Sequence, residues 1–390
     1  MDQDEAKLKG LLEIIGEELD KKYIEKVKGL VVRKDVTDSM TDTKIIYTPL
    51  HGTGNMPVRR VLGEIGFENV MVVPEQTERD ANFSTVKSPN PEEHEAFTLA
   101  MKLAEEKGAD LILGTDPDCD RVGVVVKNNE GKYQVLTGNQ TGALLIDYIL
   151  SSMKENNTIP ENGAIIKTIV TSRMGEKIAA CFGVDTLDTL TGFKFIGEKM
   201  KEFEENKNKE FLFGYEESYG YLAGTFVRDK DAVIASMLIC EMAAYYKSKG
   251  MTLYDGLLGL YEKYDYYQED LVSITLKGKA GIEKIQRILD RLRENTPKNI
   301  AGKSVKVFRD YKSSQAINFV TGEKETIILP KSNVLHFTFT DDSWFCVRPS
   351  GTEPKVKIYF SVMGDSLRDV NDQLETVKSE IMEMIEKIIK

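Results

Sequence analysis

Apolar residues near the start of the chain recur at helical spacing, with Leu8, Leu11, Leu12, Ile15 and Leu19 followed by Tyr23, Ile24 and Val27, all set among charged residues. Residues 1–34 are therefore expected to be helical and read as the tail of a unit that began earlier. From Lys44 the pattern changes. Short β-rich runs (KIIYTPL, NVMVVPE, ADLILGT) alternate with helical stretches at 56–65 and 92–107, which predicts a parallel sheet covered by helices. After Gly138 the alternation recurs, with a helix over 139–153, a strand over 164–170, a helix over 175–182 and a strand near 211–213. Asp231 is placed to cap a long helix through Tyr246. The last part differs: strand-like runs at 271–276, 335–339, 344–347 and 356–362 bracket helices at 281–293 and 366–390, the pattern of an antiparallel sheet with helices on one face. No fixed-period repeat is visible, so any kinship between the two α/β stretches is expected to be topological.

Length and composition narrow the field. At 390 residues, 41% hydrophobic and 29% charged, the chain holds enough apolar material for two or three ordinary cores and lacks the bias of a disordered one. Lysine and arginine total 52 against 63 acidic residues, a net charge of −11, which argues against a general binder of nucleic-acid backbone. An anionic ligand must then be held by a local cluster. The four cysteines, at 119, 181, 240 and 346, form no Cys-x-x-Cys pair and fit a reducing cytoplasm. The N-terminus has no apolar signal core, and no apolar run reaches the roughly 18 residues needed to span a bilayer.

Four short motifs carry candidate chemistry. Asp116-Pro117-Asp118-Cys119-Asp120-Arg121 follows an apolar strand, where open α/β sheets place ligands. Its alternate carboxylates repel one another unless a cation is present, and three hard oxygen ligands suit Mg²⁺. A calcium EF-hand does not fit, because its sixth and twelfth positions would be Arg121 and Lys127. Arg348-Pro349-Ser350-Gly351-Thr352-Glu353-Pro354-Lys355, between two strands, offers a guanidinium fork, hydroxyls and an approachable backbone to a phosphate. Glu216 and Ser218, in Gly214-Tyr215-Glu216-Glu217-Ser218-Tyr219-Gly220, are suited to sugar hydroxyls. Lys194, in Thr191-Gly192-Phe193-Lys194, is suited to phosphate contact or proton transfer. Each has a plainer reading, namely an acidic turn, a hairpin, a charged surface and a solvated lysine. The three histidines show no ligand spacing, although His51 sits in a strand-to-helix loop from which it would face a cleft.

Taken in order, Asp-x-Asp-x-Asp-Arg, Gly-x-Glu-Glu-Ser-x-Gly and Arg-Pro-Ser-Gly-Thr-Glu-Pro resemble the α-D-phosphohexomutase superfamily, the phosphoglucomutases and phosphomannomutases. Thr48-Pro49-Leu50-His51-Gly52-Thr53-Gly54 and Ser88-Pro89-Asn90-Pro91-Glu92 extend the likeness, which is nearest to the bacterial phosphoglucomutase type. The resemblance implies an α/β chain with two consecutive three-layer α/β/α domains (41–137 and 138–265) and a smaller α+β C-terminal domain with an antiparallel sheet (266–390). Residues 1–40 would bridge from a first domain. It further implies that Asp116, Asp118 and Asp120 hold Mg²⁺ and that Arg121 contacts the phosphoryl group in transfer. Glu216 and Ser218, with Thr191 and Gly192, would line the sugar site, and Lys194 would serve as proton donor or acceptor. Arg348, Ser350, Gly351 and Thr352 would hold the phosphate that stays in place.

The family's phosphorylated serine lies in a Thr-Ala-Ser-His-Asn-Pro loop of the first domain, and no Ser-His-Asn-Pro occurs here. The expectation is a chain that retains the machinery for metal, sugar and distal phosphate but not the nucleophile. Its ligands would be a phosphorylated hexose and the hexose 1,6-bisphosphate intermediate, and its partner a separately encoded first domain. Two rival readings remain: an aspartate-based phosphatase with Asp116 as nucleophile and Asp118 as acid, and a non-catalytic sugar-phosphate-binding or truncated relative.

Overall fold

The computed structural model describes residues 1–39, 42–351 and 353–389. Three sheets order the chain, and it divides into two compact units. The first comprises Met1–Ile166, Cys181–Leu187 and Phe193–Leu257; the second comprises Lys167–Ala180, Asp188–Gly192 and Leu258–Lys390.

The chain opens with α1 (Gln3–Leu8), α2 (Gly16–Lys28) and α3 (Lys34–Ser39). Only the distal part of the expected apolar stripe is covered. Ile24 and Val27 are buried where α2 packs on a later helix, α4 (Asn55–Glu64), but Leu8, Leu11, Ile14 and Ile15 are at least 64% exposed. The helical expectation for 1–34 is corrected here, because Lys9 to Ile15 separate α1 from α2.

β1 (Ile45–Thr48), β2 (Val70–Val72), β3 (Leu111–Thr115), β4 (Val122–Lys127) and β5 (Tyr133–Leu136) form one sheet in the order β2-β1-β3-β4-β5. β1 runs parallel to β2 and β3, as the βα alternation predicts. β4 and β5 add antiparallel, so the wholly parallel expectation is corrected. No helix separates β3, β4 and β5, and short connections enforce the antiparallel hand. The helix expected over 92–107 becomes a 3-10 turn, His94–Phe97, followed by α5 (Thr98–Lys107).

The next elements are α6 (Gly138–Glu155), β6 (Gly163–Thr168), α7 (Met174–Cys181), β7 (Asp185–Thr189), α8 (Phe193–Asn206), β8 (Glu210–Glu216), β9 (Gly220–Ala223), α9 (Ala232–Ser248) and α10 (Leu253–Tyr264). Their sheet order is β7-β6-β8-β9. α6 starts at a reciprocal capping box, Thr137 with Gln140. Asp231 caps α9 as expected, accepting the N–H groups of Val233 at 2.9 Å and Ile234 at 3.0 Å.

The C-terminal part contains β10 (Tyr266–Thr275), α11 (Gly278–Glu294), β11 (Asn299–Ile300), β12 (Lys303–Asp310), β13 (Gln315–Asn318), β14 (Lys324–Thr326), β15 (Leu335–Phe339), β16 (Trp344–Pro349), β17 (Lys355–Gly364) and α12 (Leu367–Ile389). The strands pair antiparallel in the order β10-β17-β16-β15-β12-β13-β14. Ile288 and Leu292 of α11 and Val377 and Ile381 of α12 join Phe337, Phe345 and Ile358 in one core, so both helices cover one face of the sheet.

One buried charge makes the fold sensitive to pH. Glu241 of α9 has no exposed surface and accepts backbone N–H groups from Val32, at 3.0 Å, and from Arg33. Burial pushes its carboxyl up to about 7, against an ordinary value of 4.5. The folded state thus favours the protonated acid. Stability from this group is full below the ordinary glutamate range and is lost as pH rises through about 7. The melting temperature is expected to fall between about pH 5 and about pH 7.5, and Glu241→Gln, which keeps the acceptor, should flatten that slope in thermal melts. An unchanged slope in the variant would assign the dependence to other groups.

Candidate functional site

β3 ends at Thr115, and the chain turns at once through the aspartate loop. Oδ1 of Asp116 accepts the N–H groups of Asp120 at 3.0 Å and Arg121 at 2.9 Å, folding the loop back around its first carboxylate. Cys119 takes φ +59° at the tip, and its carbonyl accepts the N–H of Ala232 at the start of α9 (3.1 Å). The loop after β1 closes over it: Thr53 N–H donates to the Pro117 carbonyl at 2.8 Å, and a Cβ on Gly52 would lie 2.5 Å from Pro117 Cα. No residue with a side chain fits at position 52 without moving the aspartate loop.

Ligand oxygens of Asp116, Asp118 and Asp120 lie within 4.8 Å of one another. Asp116 is buried, Asp120 is half-buried and Asp118 is exposed. Burial, followed by the charges of Asp120 and Asp118, pushes the Asp116 carboxyl up to about 7, although the Arg121 N–H bond opposes this. A cation beside it would reverse that shift. Two basic side chains face the trio. Arg121 pairs with Glu92 at 2.8 Å, and its Nε stands 3.7 Å from Asp120 and 3.9 Å from Asp116, buried and without a hydrogen-bond partner. Lys230 reaches Asp120 at 2.6 Å. Glu92 takes part of Arg121, so negative charge remains uncompensated at the loop. Burial holds the Cys119 thiol well above its ordinary range, so it offers no thiolate. The available donors are carboxylate oxygens, which fit a hard divalent ion such as Mg²⁺.

The Glu216 to Gly220 turn lies against this loop. Val122 N–H donates to the Tyr219 carbonyl at 3.1 Å, and Arg121 and Gly220 form an antiparallel bridge. Glu216 is buried and Ser218 half-buried. A Cβ on Gly138 would meet the Glu217 carbonyl oxygen at 2.0 Å, so glycine lets the start of α6 press against the turn. Two of the motifs found in sequence are therefore adjacent in the first unit. Lys194, on the first turn of α8 in that unit, is exposed and lies 4.9 Å from the ring of Phe195.

Thr191, Gly192 and the Arg348 hairpin belong to the second unit. Gly192 has φ +118°, a backbone reserved for glycine. Arg348 donates to Tyr359 Oη at 3.4 Å, and the hairpin between β16 and β17 is closed by Ser350 N–H on the Lys355 carbonyl at 2.8 Å. Gly351 is exposed with open space around it, and Thr352 lies outside the described residues. His51 is corrected as a cleft residue, because it is buried with Nδ1 2.7 Å from the Glu78 carbonyl oxygen and Nε2 2.8 Å from Thr85 Oγ1.

Sequence reasoning missed Lys230 and gave Glu92 no role. It also missed Tyr23, whose hydroxyl donates to both oxygens of Asp231 at 2.7 and 2.9 Å and steadies the α9 end that meets Cys119. No local signal marks Lys230 or Tyr23.

The fold and this loop define a class: a multidomain α/β protein with a cluster of three carboxylates, able to hold a cation, at the carboxyl end of a sheet strand. Comparison narrows the class to a family. Residues 21–131 match the phosphoglucomutase/phosphomannomutase alpha/beta/alpha domain II, residues 137–264 its domain III and residues 277–377 its C-terminal domain. The chain belongs to the phosphoglucomutase/phosphomannomutase family, within the α-D-phosphohexomutase superfamily. It is 39% identical over 352 residues to a phosphoglucomutase of Staphylococcus haemolyticus, covering 90% of this chain and 62% of that protein. A Staphylococcus saprophyticus phosphoglucomutase is 35% identical over 366 residues, with 94% and 65% covered. The chain thus spans less than two thirds of these relatives. The fold is shared with parafusin, a phosphoglucomutase of Paramecium, at TM-score 0.66 and 18% identity, with 95% of this chain and 62% of that one covered.

Proposed function

We propose that this chain is the metal-, sugar- and distal-phosphate-binding part of a hexose-phosphate mutase, which interconverts hexose 1-phosphate and hexose 6-phosphate through a 1,6-bisphosphate. The observation that carries the reading is the junction of the Asp116 to Arg121 loop with the Glu216 to Gly220 turn through Val122 and Tyr219. It brings three clustered carboxylates beside buried and half-buried groups able to bond sugar hydroxyls, which supports the reading.

In this reading Asp116, Asp118 and Asp120 hold Mg²⁺. When bound, the ion offsets charge on the phosphoryl group in transfer. Arg121, oriented by Glu92, would offer its guanidinium to the same phosphoryl group. Glu216 and Ser218 hold sugar hydroxyls, helped by Thr191 and Gly192, and Lys194 moves a proton at the reacting oxygen. Arg348, Ser350, Gly351 and Thr352 hold the phosphate that does not move. Because that cradle is separate from the transfer site, either end of the sugar can occupy it. Its contacts do not distinguish glucose from mannose. The four free cysteines and acidic composition suit a reducing cytoplasm.

The 390 residues hold no Ser-His-Asn-Pro loop, and we propose that on their own they turn over little or no substrate. In a linked-enzyme assay with glucose 1-phosphate, Mg²⁺ and glucose 1,6-bisphosphate, the expected result is near-background turnover, restored when a separately made first domain carrying the serine loop is added. Robust turnover by this chain alone would overturn the incompleteness. Absence of calorimetric binding to the bisphosphate would overturn the mutase reading itself.

A further inference from the structure

The second compact unit carries an open cavity of about 340 Å³ that no part of the proposed mutase site uses. It is lined by Lys167 at the end of β6, Arg309 of β12, His336 and Thr338 of β15 and Trp344 of β16. Strand register makes the cluster: Arg309 pairs with His336, and Thr338 pairs with Trp344. Lys167 and Trp344, each 2% exposed, form its floor, while Asp188, Lys306 and Asp342 stand at a solvent-exposed rim.

The charges do not cancel. Asp188 is taken by Lys167 at 2.8 Å, Glu176 by Arg173 at 3.2 Å, and Asp342 by Arg173 at 3.3 Å and Lys306 at 3.5 Å. That leaves Arg309. Its Nη1 donates to Thr338 Oγ1 at 2.9 Å, and among the described residues no carboxylate forms an ion pair with it. The ring of His336, stacked on Trp344 at 5.0 Å, registers the excess positive field: burial, then Arg309, Lys167 and Arg173, hold its pKa well below the ordinary range. A half-buried guanidinium with no carboxylate partner, bordering a polar cavity, has an oxyanion as its electrostatic complement. A planar fork matches two oxygens of a phosphate, and the volume falls in the range of small-metabolite sites.

We propose that this cavity is a second anion site, in which a small phosphorylated metabolite places its phosphate on Arg309 against Lys167 and Thr338, beside the His336–Trp344 stack. The Arg348 cradle is on a different strand: Arg309 of β12 aligns through His336 of β15 with Cys346 of β16, and Arg348 lies two residues beyond that, roughly 7 Å along the strand at about 3.3 Å per residue.

Trp344 is the single tryptophan of the chain, so intrinsic fluorescence reports this cavity directly. The test titrates the full chain with inorganic phosphate at constant ionic strength, with acetate as a second anion. A saturable change in Trp344 emission with phosphate is expected. Its midpoint should move about 10- to 100-fold higher in Arg309→Gln, the cost of one charge-assisted contact, and stay unchanged in Arg348→Gln. Arg309→Lys keeps the charge without the fork and should also bind more weakly. If the glutamine variant does not fold, the lysine variant decides. The proposal is overturned by a response that never saturates, by wild-type affinity in the folded Arg309 variants, by loss of the response in Arg348→Gln, or by an equal response to acetate. None of these outcomes depends on mutase turnover.

Discussion

Asp116→Asn is expected to weaken Mg²⁺ binding by about 100-fold or more while leaving the fold intact, because a lost carboxylate ligand removes several kcal/mol of charge stabilisation. Asparagine retains an oxygen that can accept the Asp120 and Arg121 N–H groups, so the loop keeps its closing hydrogen bonds. Isothermal titration with Mg²⁺ reads the affinity, and circular dichroism checks the fold. Asp118→Asn is the companion variant: its side chain is exposed and makes no bond that closes the loop, so its loss should affect the ion alone. Wild-type affinity in both variants would remove the trio from consideration as a metal site. Reconstituted turnover, where it is obtained, should fall at least in parallel.

Phe337→Ala is expected to destabilise the second unit by about 3–5 kcal/mol, the range for emptying a buried aromatic site. Phe337 is fully buried, stacks on Phe345 with ring centres 4.3 Å apart and an interplanar angle of 1°, and meets Phe308 at 5.0 Å. These rings join β12, β15 and β16 at the layer where α11 and α12 cover the sheet. The hairpin that carries Arg348 continues from β16, so the same change should loosen the phosphate cradle. Differential scanning calorimetry should show a fall on the order of 10 °C in the transition assigned to this unit. A shift below about 2 °C would mean that the aromatic layer re-packs around the gap.

What could be read from the chain depended on how far apart the cooperating residues lie. The aspartate loop was legible because its three carboxylates and arginine fall within six residues, directly after an apolar strand. Glu92, 29 residues before Arg121, and Lys230, on a loop beyond the second sheet, reach the same place only through the fold. Local pattern carries no trace of such meetings. The strands of the α/β sheets that alternate with helices were legible for a similar reason, since a helix between strands marks each one. β4 and β5 lack that separator, and β12, with lysine and arginine among its apolar positions, reads as polar until its neighbours bury one side. The apolar spacing near the N-terminus misled in the opposite sense, since periodicity states which residues share a face and not whether anything covers that face.

That uncovered stretch governs how the protein behaves as a colloid. Leu8, Leu11, Ile14 and Ile15 are exposed apolar side chains, each able to adhere to another surface, on a particle whose net charge of −11 keeps copies apart. At low ionic strength repulsion reaches across tens of ångströms, whereas near 1 M salt it is confined to about 3 Å. Short-range adhesion through these side chains then dominates, so salt should set the balance between dispersed particles and clusters.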